Sequence, residues 1–426
     1  MTSKARGIVS RRKALAGLAA TAASVALGEA APGDRTTERP AGPLFSPSGP
    51  NAELYGAAEG FPVADASLRV QPGEPHQRTY RVGAYSHFDE IYPTHLIKRA
   101  TTPWLFKRSP ANIHPSITDY LSRNPVTGLL IAKDDQILCE HYQYGRTDRD
   151  KLLSQSMAKS ITGMLIGIAI AEGAIKSVRD AAETYVAGFK GTEYGATPIR
   201  DLLHMSSGVD FGETRDGQRD LNRLWVDMVL GMGPTHGTIE SIAQFNQRVA
   251  PAGTRYFYAS IEADVLGVVL HYAVSKSVSD YLREKIWQPI GAEADATWVI
   301  DAQGFEVAHG FFSAVLRDYA RLGRLLAHDG NWDGKQIIPA EWLIEATTVR
   351  SDDAHLAPGR ATPTLGYGYF LWLLPGARRQ FAMVGANGQR LCVDPSSKLV
   401  MVQTAVENTD EVWRLWSSLV EQFGQG

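Results

Sequence analysis

Ser156 and Lys159 stand three residues apart at the head of an apolar run. On a helix, positions i and i+3 share a face, so the serine Oγ and the lysine Nζ can meet. A serine hydroxyl becomes a useful nucleophile only when a base takes its proton. A lysine serves as that base when burial or a cationic neighbour lowers its pKa from about 10.4 towards 7. Ile161, Met164, Leu165, Ile168 and Ile170 supply the apolar setting. A serine at a helix N-terminus also faces the positive end of the helix dipole, which favours an oxyanion beside it. The competing reading is a solvated lysine beside an N-capping serine. A lysine set within so apolar a helix is harder to explain as solvated.

Other catalytic signatures are absent from the sequence. There is no G-x-S-x-G elbow, no H-E-x-x-H, no phosphate-binding Walker loop and no G-x-G-x-x-G. No His/Cys/Asp cluster has metal-ligand spacing, so neither a metal nor a cofactor is expected. His204 reads as structural, and His309 is ambiguous. Asp210, Glu213 and Glu262 show no paired spacing. Trp225 and Phe257 are candidates for an acyl pocket, although aromatic residues in such runs are more often core.

Several elements must position the pair. Two β-rich runs between Val126 and Tyr144 flank Lys133-Asp134-Asp135-Gln136, which predicts a hairpin. Residues 155–173 predict an apolar helix ending near Gly173. Residues 174–290 are mostly helical in pattern, with turns near Gly231–Pro234 and Pro251–Gly253. A further helix is expected over 314–328. Strands follow at 369–374, 389–393 and 399–405, then a helix from Thr409 to Phe423. No internal repeat is visible. Strands near both ends with helices between predict one mixed sheet completed by both termini, carrying a helical insertion.

Composition sets the class. The chain has 426 residues, 44% hydrophobic and 21% charged, with net charge −3. That excludes disorder throughout and allows a large core. Length suggests two or three domains at roughly 150 residues each. No basic stripe points to nucleic acid. No apolar run reaches the ~20 residues that span a bilayer. Cys139 and Cys392 are too few for a disulfide framework or a four-thiolate metal site, and each lies in a strand-like run, which favours two free buried thiols. The N-terminus is basic and then Ala-rich from Ala14 to Gly28, the layout of an export signal. Ser10-Arg11-Arg12-Lys13 resembles a twin-arginine signal, so a periplasmic or secreted protein is expected. The boundaries read as signal over 1–31, a linker or loosely packed arm over 32–83, and the folded domain over 84–426. A helical subdomain occupies roughly 174–320.

Leu153-Ser-Gln-Ser156-Met-Ala-Lys159-Ser-Ile-Thr-Gly163 resembles the nucleophile helix of the β-lactamase-related serine hydrolases. That group includes class C β-lactamases, D-alanyl-D-alanine peptidases, family VIII esterases and 6-aminohexanoate-dimer hydrolases. Ile199–Gly208 is similar to the family's LLxHTSG turn, and Pro251–Ser260 to its PGxxxxYxN segment. Arg317–Gly323 and Trp332–Trp342 are similar to its later helix and turn. Glu90–Ile97 resembles the nylon-oligomer hydrolase branch. The resemblance runs from about residue 85 to the end. It implies an α/β (α+β) fold: a mixed domain with an antiparallel sheet, plus a helical domain, with the site between them.

The same resemblance implies roles. Tyr258 matches the second-motif tyrosine, which relays a proton between Ser156 and the leaving group. Ser260 stands where the family has Asn. Ala386-Asn387-Gly388-Gln389 matches the third motif, K-T-G or H-x-G in the family. The oxyanion hole would be the backbone N–H groups of Ser156 and Gln389, and Ser260, Asn387 and Gly388 would meet substrate. The family cation is missing at Ala386, which removes the simplest partner for a substrate carboxylate. The expectation is a serine hydrolase acting on a small ester or amide through an acyl-enzyme on Ser156. The alternatives are a β-lactamase or D-alanyl-D-alanine peptidase, a non-catalytic ligand-binding or sensor module, and a structural protein of the cell envelope. Nucleic-acid partners and stable membrane insertion after signal removal are not expected.

Overall fold

The computed structural model describes residues 42–63, 77–109, 115–213, 219–235 and 237–424. The twin-arginine reading lies outside the described residues. In chain order the first half holds β1 (Leu44–Phe45), α1 (Arg78–Ala84), α2 (Phe88–Ile91), β2 (Thr94–Ile97), β3 (Lys107–Arg108) and α3 (Pro115–Arg123). It continues with β4 (Val126–Lys133), β5 (Gln136–Tyr142), β6 (Leu152–Leu153) and α4 (Met157–Ala171). Helices α5 (Ile199–Leu203), α6 (Arg219–Met228), α7 (Thr238–Ala243), α8 (Ile261–Val274) and α9 (Val278–Leu282) follow. Then come β7 (Ala296–Val299), β8 (Phe312–Ala314), α10 (Leu316–Ala327), β9 (Asn331–Trp332), β10 (Lys335–Gln336) and α11 (Ala340–Ala346). The chain closes with β11 (Gly366–Tyr367), β12 (Trp372–Leu373), β13 (Phe381–Gly385), β14 (Gln389–Asp394), β15 (Leu399–Ala405) and α12 (Glu411–Phe423).

The principal sheet has nine strands in the order β1-β5-β4-β15-β14-β13-β12-β11, with β3 also on β5. Its long pairs are antiparallel, and only β1 and β3 run parallel to β5. The N-terminal hairpin β4–β5 therefore joins the C-terminal strands through β15. The hairpin turns on Asp134, whose φ of 55° is tolerable for Asp at a tight turn. Burial of both sheet faces explains why β4 and β15 read as apolar runs without alternation.

Helix α4 lies inside the molecule. Every residue from Met157 to Ala169 is buried, so no polar face interrupts the run. It ends at Gly173, which has the left-handed φ of 76° that a helix stop requires. Both cysteines are free and buried, Cys139 in β5 and Cys392 in β14.

Three expectations need correction. Part of the segment read as a loose arm is packed: Tyr55 and Val82 are fully buried with Phe88, Tyr144 and Phe311. Isolated aromatic residues in Pro- and Gly-rich text carry no period, so this core contact leaves no local signal. The region 174–320 is not helical throughout. Strands β7 and β8 within it form a second sheet, β2-β7-β8-β6, whose members are only two to four residues long. The strand expected over 369–374 is reduced to Trp372–Leu373, because Phe370 turns into the left-handed region at φ 54°.

Candidate active site

Strand β6 runs into α4 through Gln155, which holds φ 47° immediately before the serine. A non-glycine residue there costs about 1–3 kcal/mol and persists where the surroundings enforce it. The turn lifts Ser156 to the head of α4, where its side chain caps no helix amide and stays available. Lys159 Nζ donates to Ser156 Oγ at 2.9 Å and to the His309 carbonyl at 2.6 Å. Lys159 is 2% exposed, so the pair is not the solvated arrangement of the competing reading. Among the described residues no carboxylate pairs with it.

The peptide that receives Lys159 is itself held. Asp264, buried on α8, accepts the His309 N–H at 3.1 Å and pairs with its Nδ1 at 2.7 Å. Sequence reasoning missed this clamp. A carboxylate inside the apolar run of α8 was the available signal, since a buried charge needs a partner.

Tyr258 stands beside Lys159, whose Nζ lies 5.1 Å from the ring centroid. Trp372 stacks on the ring and Tyr367 meets its edge. The backbone on either side is fastened to Met205, through Phe257 N–H to Met205 O at 2.8 Å and Ala259 N–H to Met205 Sδ at 3.4 Å. Met205 belongs to the turn that includes His204. His204 is buried against Tyr369, with ring centroids 4.7 Å apart, and touches neither cavity beside Ser156. Burial, helped by Arg200, His355 and Arg350, pulls its pKa down to about 3.

Two cavities meet at Ser156. The larger, about 700 Å³, is walled by Tyr256, Phe257, Tyr258, Trp372 and Arg390. The smaller, about 390 Å³, is bounded by Trp225, Ser260, His309, Asn387 and Tyr92, and by Arg81 from the N-terminal arm. Glu213 borders both. It accepts the Ser260 N–H, and its Oε1 accepts Ser260 Oγ at 2.7 Å. Ser260 thus borders a cavity while its hydroxyl is committed to protein. Glu262 lies deeper, bonded to Ser207, and burial pushes its carboxyl well above the ordinary range.

The third-motif turn spans β13 and β14. A Cβ at Gly385 would come within 2.3 Å of Ser154 O, so only glycine lets β13 close onto the segment that precedes the nucleophile. Ala386 borders both cavities, and Asn387, at φ 57°, borders the smaller. Asn387 Nδ2 donates to Tyr85 OH at 2.6 Å. Gln389 borders neither cavity. Its Nε2 donates to the carbonyls of Ala386, Asn387 and Ala405, which makes it a fastener of the turn. Gly388 is equally withdrawn, with its N–H on Asn408 Oδ1 at 2.9 Å. The residue of the turn that borders both cavities with Ser156 is Ala386. No group of metal-ligating side chains occurs among the described residues, and no helix there is long and apolar enough to cross a membrane.

A 6-aminohexanoate-dimer hydrolase of Paenarthrobacter ureafaciens is 26% identical over 366 residues, covering 83% of this chain and 90% of that protein. The solved structure of a candidate 6-aminohexanoate-dimer hydrolase from Bacillus anthracis superposes with TM-score 0.74 at 22% identity, over 85% of this chain and 97% of that one. A family VIII carboxylesterase structure matches with TM-score 0.56 at 15% identity, over 72% and 95%. The Beta-lactamase family profile matches residues 122–411, from the end of α3 to the first residue of α12. Because that span takes in both motif helices, the third-motif turn and well over half of the residues, the chain belongs to the Beta-lactamase family, a family of hydrolases.

Proposed function

We propose that the protein hydrolyses a small linear amide or ester through an acyl-enzyme on Ser156. The observation that carries this reading is the 2.9 Å contact between Lys159 Nζ and Ser156 Oγ at the meeting point of two cavities. Lys159, in its neutral form, takes the serine proton as Oγ attacks the carbonyl carbon. The negative charge that develops on the carbonyl oxygen is received by the backbone N–H groups of Ser156 and Ala386, with Ala386 in the role first expected of Gln389. Tyr258 passes the proton to the leaving nitrogen or oxygen, and the C–N or C–O bond breaks. Water then attacks the acyl-enzyme, gives its proton back through the same pair and frees the acid.

Tyr258 borders only the larger cavity and His309 only the smaller. The leaving group therefore belongs with the aromatic wall, and the acyl chain with the side closed by the N-terminal arm. Amide hydrolysis is supported by the relative from Paenarthrobacter ureafaciens, named as a hydrolase of a 6-aminohexanoate dimer, since an amino acid joined to a second copy through its amine and carboxyl forms an amide. Export is part of the same proposal and rests on the Arg11-Arg12 signal pattern.

The test sets wild type beside Ser156→Ala on p-nitrophenyl butyrate, the linear 6-aminohexanoate dimer and nitrocefin. Turnover of the ester and amide by wild type, with the acyl adduct on Ser156 seen by mass spectrometry and no turnover by the variant, is the expected result. Equal rates for the two proteins overturn the assignment. Turnover confined to nitrocefin replaces it with a β-lactamase.

A further inference from the structure

The residue behind the third-motif turn has no role in the mechanism so far. Arg390 is 8% exposed. Its Nη1 donates to Gly385 O at 2.7 Å and to Gln389 O at 2.8 Å, the two ends of the turn. Its guanidinium lies 5.5 Å from the Trp413 ring centroid on α12. Among the described residues it has no ion pair, and its Nε is buried without an acceptor. Asp410 borders the same cavity without pairing to it. A buried cation spent on two neutral carbonyls is a costly way to brace a hairpin, because a neutral donor would serve.

The carbonyl it grips explains the choice. Gly385 C=O and Ala386 N–H belong to one peptide unit, and in a trans peptide they point in opposite directions. Fixing the oxygen therefore aims the Ala386 N–H. A positive charge on the oxygen also draws electrons from the nitrogen and makes that N–H a stronger donor. The rest of the turn is secured by others: Gln389 holds the Ala386 and Asn387 carbonyls, and Asn408 holds the Gly388 N–H. Among these side chains, Arg390 is the one that addresses the Gly385–Ala386 peptide, whose N–H the proposed mechanism uses.

We propose that Arg390 is a positioning residue of the oxyanion hole, orienting and polarising the Gly385–Ala386 peptide so that its N–H binds the tetrahedral oxyanion more strongly than the ground-state carbonyl. The proposal rests on the reading that Ala386 N–H is an oxyanion donor. A donor used only in the transition state acts on kcat and leaves KM in place.

The test uses the full chain, p-nitrophenyl butyrate, and an alkylboronic acid as a tetrahedral analogue. Arg390→Met, which keeps volume and removes charge, should lower kcat about 10-fold or more, less than the ~10²–10³ lost with a donor itself. KM should stay within about twofold, boronate affinity should fall in proportion to kcat, and Arg390→Lys should recover part of both. A fall in kcat without weaker boronate binding overturns the proposal. So does a loss confined to the KM of a carboxylate-bearing substrate, which would make Arg390 a substrate anchor. Should Arg390→Met not fold, Arg390→Lys carries the same comparison, because an unchanged boronate-to-kcat ratio is required of it too. Ala386→Pro separates the two levels. Gly385, at φ −122° and ψ 156°, already has the backbone that a following proline demands. If Ala386→Pro keeps wild-type kcat, the reading of Ala386 fails, and the proposal with it. If Ala386→Pro loses activity while Arg390→Met does not, only the proposal fails.

Discussion

Two turns hold the neighbours of Ser156, one Lys159 and the other the Tyr258 segment, and each buries a histidine to the same 5% exposure. The turn at His309 holds Lys159 through its carbonyl and is itself held by the Asp264 carboxylate. The turn at His204 holds the Tyr258 segment through Met205, by backbone contacts and packing. Lys159 is thus placed through a buried carboxylate, and Tyr258 by backbone hydrogen bonds and an aromatic stack. The difference teaches that burial of a histidine does not mark its use. What its neighbours offer decides: a carboxylate at His309, and cations with a tyrosine ring at His204.

The comparison breaks first at Tyr258. Removal of its hydroxyl in Tyr258→Phe should cut kcat by ~10²–10⁴ while the fold stays intact, because Trp372 and Tyr367 touch only the ring. An unchanged kcat would take Tyr258 out of the reaction and leave its turn with a packing role only. Asp264→Ala should follow, with kcat down about 10²-fold through a displaced Lys159. The freed His309 N–H should also lower the melting temperature, as an unsatisfied buried donor costs about 1–3 kcal/mol. Asp264→Asn keeps an acceptor and should fall between. A destabilised Asp264→Ala with full kcat would show that the charge serves the fold and not the base.

His204 gives the smallest effect on rate and a distinct one on stability. Its ring is neutral in the folded state, with a pKa near 3 against about 6.5 when unfolded. Below pH 6.5 the unfolded chain gains a proton that the folded chain refuses. The contribution is therefore complete above pH 6.5 and declines towards pH 3, by up to about 1.4 kcal/mol per pH unit. His204→Leu should flatten the acid side of the stability curve and leave kcat near wild type at neutral pH. Urea titrations between pH 4 and 7 measure this, and an unaltered slope would mean that the ring is hydrated.

Local pattern carried the long elements. The hairpin about Asp134, the helix behind Ser156 and strands β14 and β15 each have a period or a continuous apolar run. Strands β6, β7 and β8 do not, because two to four buried residues are too few to display alternation. At the site, Ser156, Lys159 and Tyr258 were legible through spacing and resemblance, and the structure places them around one point. Glu213, Asp264 and Arg390 were not. Their partners lie 47, 45 and at most five residues away. The first two are tertiary meetings that leave no spacing to read, and the third depends on which way a strand residue faces. The same limit hid which residues of the third-motif turn line the cavities, Ala386 and Asn387 rather than Gln389.

The joining of β4 to β15 has a consequence for the timing of synthesis. Gln403 pairs with Leu129 across 274 residues. At about 5–20 residues per second, a ribosome needs roughly 14–55 s to make the second after the first. Throughout that interval β4 has one unpartnered edge, and the apolar face of its hairpin has no strand to continue it. Contacts of such long range are also slow to form once available. The β4–β5 hairpin must therefore wait, with one edge of β4 open, for residues 399–405, and any truncation before Leu399 leaves the middle of the sheet open.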